Sequence, residues 1–168
     1  MFKKITLAAA LSVPAVGACA ADEPKWYAGF DLGATDVKHY PGPDASVGLF
    51  LGYQLNDFVS IEGNIRRLGD FNTGMNNYHT KVDQFGMSAV FSKPLGSSKF
   101  KVFGRLGANY VNIDTKSNRM NPHREKKLAG LYGFGLSYDI TPTVSARVEV
   151  QKPYQRATNL SAALAFKF

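Results

Sequence analysis

The sequence predicts an all-β chain: eight antiparallel strands closed into an up-and-down transmembrane β-barrel. Three observations carry this. Eight segments alternate apolar with small or polar residues at period two, the period at which strand side chains change face. The connections between them are alternately short and long. The last segment, "SAALAFKF", keeps Leu160, Ala162, Leu164, Phe166 and Phe168 on one parity up to the final residue, a greasy face that needs a place to be buried.

The first element is not part of the fold. "MFKKITLAAALSVPAVGACA" places Lys3 and Lys4 before an apolar stretch from Ile5 to Val16 and ends small-x-small at Ala18-Cys19-Ala20. This is the layout of a secretory signal peptide over residues 1–20, cleaved before Ala21, and it is too short to span a bilayer as a helix. Val16-Gly17-Ala18-Cys19 is loosely similar to a bacterial lipobox, which would instead leave Cys19 lipidated; Val and Gly are less typical there, so ordinary cleavage is expected. The remaining chain, 21–168, then has no cysteine and no disulfide framework.

Cleavage removes two of the 20 Lys and Arg and leaves 18 against 13 Asp and Glu, a net charge of +5. A basic exported chain favours anionic lipid or lipopolysaccharide over nucleic acid. The 45% hydrophobic content excludes disorder by composition.

The strands follow in order. "WYAGFDLGA" sets Trp26, Ala28, Phe30, Leu32 and Ala34 against Tyr27, Gly29, Asp31 and Gly33. "SVGLFLGYQL" sets Val47, Leu49, Leu51, Tyr53 and Leu55 against Ser46, Gly48, Phe50, Gly52 and Gln54. "VSIEGNIR" and "QFGMSAVFS" continue the pattern, the first with Ser60, Glu62, Asn64 and Arg66 on the polar parity, the second with Gln84, Gly86 and Ser88. "FKVFGRLGANY", "LAGLYGFGLSYD" and "VSARVEVQ" repeat it before the final strand completes eight. Phe50, Val90, Phe103 and Leu131 break the pattern by sitting on the polar parity.

The short connections are "NDF", "KPLGSSK" and "ITPT". The others are longer and polar: "TDVKHYPGPDA", "RLGDFNTGMNNYHTK", "NIDTKSNRMNPHREKK" and "KPYQRATN", expected as four extracellular loops. Closure lets the last strand pair with the first, so every backbone group is satisfied in lipid. The apolar parity then faces hydrocarbon, and Gly and small residues fill a narrow interior. Trp26, Tyr53, Tyr110, Tyr138 and Phe168 fall near strand ends, where aromatic girdles form.

With "WYAGFDLGA", "GLSYDITPTVSARVEVQ" and the terminal "ALAFKF", the whole mature chain resembles the small eight-stranded outer-membrane barrels: the OmpA transmembrane domain, OmpX and the opacity-type proteins. The resemblance implies a bacterial outer-membrane location, a monomer with no cofactor, and a structural or surface-interaction role. It further implies that Phe166 and Phe168 are the sorting signal read by the barrel assembly machinery. A chain ending at Phe168 leaves no room for a peptidoglycan-binding domain, so a tethering role is not expected.

The polar parity collects Asp31, Glu62, Arg66, Arg105, Arg147 and Glu149, with Lys101 as a further member. Charges held away from water must be paired, so an interior ion-pair plug is expected; the sharper alternative is the gate of a narrow ion or solute channel. His39, His79 and His123 all fall in expected loops. His79 with Asp83, and His39 with Asp36 or Asp44, are the pairs from which a lipid A-modifying rim enzyme or a metal site would be built, but two ligands rarely hold a metal and the catalytic pattern is incomplete. No enzyme and no metal is expected. The run "TKSNRMNPHREKK" brings together Lys116, Arg119, Arg124, Lys126 and Lys127, candidates for contact with lipopolysaccharide phosphates or an acidic host ligand. A soluble lipocalin-like barrel would turn the other parity outward, and that parity is too rich in Gly to cover a wet surface.

Overall fold

The computed structural model describes residues 25–38, 42–73, 78–117 and 120–168; at 70–73, 78–80, 114–117 and 120–125 it describes the backbone. The expected signal peptide, and its rival lipidation at Cys19, lie outside the described residues, as does His39.

The chain is a closed antiparallel barrel in which each strand pairs with its sequence neighbours and β1 with β8. The strands are β1 (Trp26–Val37), β2 (Asp44–Gln54), β3 (Val59–Thr73), β4 (Tyr78–Pro94), β5 (Phe100–Ser117), β6 (Met120–Asp139), β7 (Val144–Tyr154) and β8 (Ala157–Lys167). "SAALAFKF" closes the wall: Phe166 lies opposite Ala28, and the Phe168 amide donates to the Trp26 carbonyl at 2.9 Å. The β1–β8 pairing removes the open edge between the first and last strands inside the hydrocarbon, where an unpaired peptide would cost several kcal/mol.

Three tight turns join strands at one end. Asn56 Oδ1 accepts from the amides of Phe58 and Val59, both at 2.9 Å, a local side-chain turn. Gly96 adopts φ +61°, which a side chain would resist. Thr141 Oγ1 accepts from the Val144 amide at 3.0 Å.

Outward-facing Leu32, Leu49, Ile65, Met87, Leu106 and Phe134 are exposed on the barrel wall, as a lipid-facing surface requires. Trp26 stacks edge-on with Tyr53 at 4.9 Å, and Phe100 meets Tyr138 at 4.8 Å, near the turn end. From Phe100 to Tyr110 in β5, ten residue steps at about 3.3 Å, tilted by about 40°, rise about 25 Å, the height of an outer-membrane apolar band. Tyr110 therefore stands at the far membrane boundary, not at a strand end.

Beyond that boundary the structure departs from the sequence reading. The segments expected as long loops are mostly strand: β3 runs to Thr73 and β4 begins at Tyr78, while β5 runs to Ser117 and β6 begins at Met120. Four strands, β3–β6, project past the membrane as a sheet. His79 in β4 and His123 in β6 thus lie on strands, not in loops. Lys116 likewise lies on β5, and Arg124, Lys126 and Lys127 on β6. The sequence here carries no sustained apolar parity, so the period-two signal fades while the hydrogen-bonded ladder continues.

Candidate functional site

Period two delivers the charged residues of four strands, β1, β3, β5 and β7, to one interior. Each carboxylate there meets a guanidinium. Arg66 Nη2 pairs with Asp31 Oδ2 at 2.8 Å. Arg105 bridges two acids, with Nη2 2.5 Å from Glu62 Oε1 and Nε 2.9 Å from Glu149 Oε1. Arg147 Nη1 donates to Glu62 Oε2 at 2.7 Å. Glu62, fully shielded from solvent at 0% exposure, is the hub. Three acids face three arginines, so the cluster is neutral as a whole, the condition under which charge tolerates burial. Lys101 stands apart: it pairs with Asp139 at 2.8 Å near the turn end, where both side chains are partly exposed.

Uncharged groups complete the network. The Tyr27 hydroxyl lies 2.9 Å from both Ser60 Oγ and Glu62 Oε2. Asn159 Nδ2 donates to Ser46 Oγ at 2.7 Å and Thr35 Oγ1 at 2.9 Å, while its Oδ1 accepts from Arg66 at 3.2 Å and Gln151 at 3.3 Å. The sequence reading had not singled out Tyr27 or Asn159 as partners of the charges. The signal was present, since both share the inward parity, but only the register of distant strands reveals which groups meet.

Apolar residues flank this network on both sides, with Arg147 partly exposed toward the turn end. Near the turn end the Arg147 guanidinium lies 5.0 Å from the Tyr27 ring centre, 5.2 Å from Phe50 and 5.7 Å from Phe103. Phe50 and Phe103 are thus interior residues, as are Val90 and Leu131, all buried. Their bulk is accommodated by interior glycines: a Cβ on Gly135 would strike the Phe103 ring, and one on Gly29 the Phe50 ring. At the other end Val37, Leu68, Val82, Val111 and Ala157 form a second buried cluster.

At the projecting rim the basic run is divided. Lys126 faces outward over the Tyr110 ring at 5.9 Å. Lys127, opposite Val111 in register, has the other parity. Arg119 lies outside the described residues. Phe166 and Phe168 stand at the turn end of β8, both exposed.

Comparison with known proteins agrees with this architecture. The sequence pattern of the family described as outer membrane protein beta-barrel domain matches residues 5–168. Outer membrane protein A of Serratia marcescens is 26% identical, over 89% of this chain and 48% of that protein, so the chain spans about half the length of this relative. Among solved structures, Neisserial surface protein A superposes with a TM-score of 0.67 at 16% identity, covering 88% of this chain and 98% of that one. The N-terminal β-barrel domain of Pseudomonas aeruginosa OprF gives 0.65 at 15%, covering 84% and 97%. Ail of Yersinia pestis, in complex with the heparin analogue sucrose octasulfate, gives 0.58 at 15%, covering 86% and 97%.

Proposed function

The chain belongs to the outer membrane protein beta-barrel domain family, and from that premise we propose that it is a non-enzymatic surface protein: its filled barrel supports the bacterial outer membrane, and the projecting sheet of β3–β6 meets partners outside the cell. One observation carries the reading. The highest residue of β6 that β7 reaches is Tyr132, opposite Lys152, yet β6 extends back to Met120, and among the described residues it pairs there with β5 alone. The part of this stretch before Leu128, which lies level with Tyr110, is an open strand edge beyond the membrane, and an open edge is a template for an extended partner segment. This assigns the surface role to strands rather than to four long loops.

Lys116, Arg124, Lys126 and Lys127 lie on the strands of the same projection, with Arg119 between them in the sequence, and a sulfated or phosphorylated polyanion is the ligand class this basic run suits. The heparin analogue bound by Ail belongs to that class. The aromatic pair Phe166 and Phe168 remains our assignment for the assembly machinery.

The test shortens the β5–β6 hairpin toward the membrane boundary by replacing residues 113–125 with an Asn-Gly turn, which keeps Asn112 opposite Lys126. Cells carrying this variant should lose adhesion to immobilised heparin and matrix proteins but keep the detergent resistance that the barrel confers. Undiminished adhesion would remove the projecting sheet from the function. Lipid A mass spectra should be the same with and without the protein; a changed acyl pattern would restore the enzyme reading.

A further inference from the structure

The glycines of this barrel fall into two kinds. At inward Gly29, Gly48, Gly52 and Gly135 a Cβ would collide with neighbouring side chains or backbone. At outward Gly63 in β3 and Gly130 in β6 a Cβ would meet nothing within 4 Å, and neither has a positive φ. Nothing inside the protein requires glycine at these two positions, although glycine weakens a strand.

Both lie in one register row, Leu51–Gly63–Met87–Ala108–Gly130, across β2–β6. The next outward row toward the projecting end, Leu49–Ile65–Phe85–Tyr110–Leu128, is uniformly large. The small residues therefore leave a hollow behind a bulky ledge, an apolar groove of about 1000 Å³ that includes Gly63, Ala108, Met87 and Phe85 in its walls. One row higher, beyond Val47 of β2, the surface becomes polar across β3–β6: Arg67, Asp83, Asn112 and Lys126. Same-face residues are about 7 Å apart along a strand, so this polar row lies about 14 Å along the strands from the hollow, a rise of about 10 Å at a tilt of about 40°.

We propose that the groove over Gly63 seats an acyl chain of lipid A, with its phosphates at the level of Arg67 and Lys126. The proposal rests on the membrane-spanning reading of the barrel. The vertical order matches the ligand: apolar hollow, aromatic ledge, then cations. Lys126 is held over the Tyr110 ring at 5.9 Å, directly above the groove. Arg67 is half exposed and pairs with Asp83 at 2.8 Å, so a phosphate would share that guanidinium with a carboxylate. The cations stand at the projecting, extracellular end, which selects the outer-leaflet lipid over inner-leaflet phospholipid.

The experiment refolds the protein and its variants in detergent, incubates each with rough-type lipopolysaccharide or with phosphatidylglycerol, exchanges the detergent, and reads retained lipid by native mass spectrometry. A heat-dependent shift on SDS gels, read separately, verifies barrel closure and hence the underlying reading. Wild type should retain one lipopolysaccharide and no phosphatidylglycerol. Gly63→Leu, and independently Ala108→Leu, fill the hollow and should reduce retention at least tenfold. Lys126→Gln should reduce it several-fold, and Gly104→Leu, outward but away from the groove, should leave it unchanged. Three outcomes would each overturn the proposal: closed Gly63→Leu and Ala108→Leu barrels that retain lipid like wild type, equal retention of phosphatidylglycerol, or a wild-type dimer that Gly63→Leu dissociates.

Discussion

Tyr27 of β1 and Gly52 of β2 are cross-strand partners, and the Tyr27 ring occupies the space that a side chain on Gly52 would need. The pairing places the ring over its neighbour's backbone and brings its hydroxyl to Glu62 at 2.9 Å. Gly52→Val should therefore overpack the interior and destabilise the barrel by about 1–3 kcal/mol. Gly104→Val, on the outward parity with no neighbour closer than 4.0 Å, should be neutral or slightly stabilising because valine favours strands. Urea unfolding in lipid vesicles compares the two, and equal effects would contradict the assignment of faces.

Glu62 answers two arginines, so Glu62→Gln leaves Arg105 with only Glu149 and leaves Arg147 without a carboxylate partner. Removing one member of a buried ion pair costs about 3–5 kcal/mol. The urea midpoint should fall accordingly. A change below about 1 kcal/mol would indicate that water enters the interior and screens these charges.

The charge network has apolar layers on both sides, which predicts how a conductance experiment responds. Wild type in a planar bilayer should show no steady current steps. Neutralising Arg105 to Gln should leave it silent, because Val37, Leu68, Val82 and Val111 remain packed above the network. If Arg105→Gln or Glu149→Gln alone opens a conductance, the ion pairs are a gate and the narrow-channel reading replaces the plug.

Trp26 is the only tryptophan of the chain, and it stacks on Tyr53 at the turn end with 48% of its surface exposed. Its fluorescence in vesicles of brominated lipids should be quenched most by bromines near the headgroups and least by those at the chain ends, as expected of an interfacial aromatic. The reverse order would move the turn end into the bilayer centre.

The membrane-spanning wall was legible from the residues because lipid outside and a packed interior inside impose opposite chemistries on alternate side chains. Leu49, Leu51 and Tyr53 against Gly48, Phe50 and Gly52 already state which face is which. The projecting sheet was not legible, since the sequence from 112 to 127 carries no periodic contrast of apolar and polar residues; the ladder there depends on β5 and β6 finding each other in register. The interior charges show the same division. Parity alone put Asp31, Glu62, Arg66, Arg105, Arg147 and Glu149 on one face. Which acid meets which arginine depends on closure and strand register, which bring Glu62 of β3 to Arg147 of β7. Alternation is a local property, written residue by residue along each strand; pairing across the barrel, and the hollow over Gly63, exist only once eight strands have fixed their relative heights.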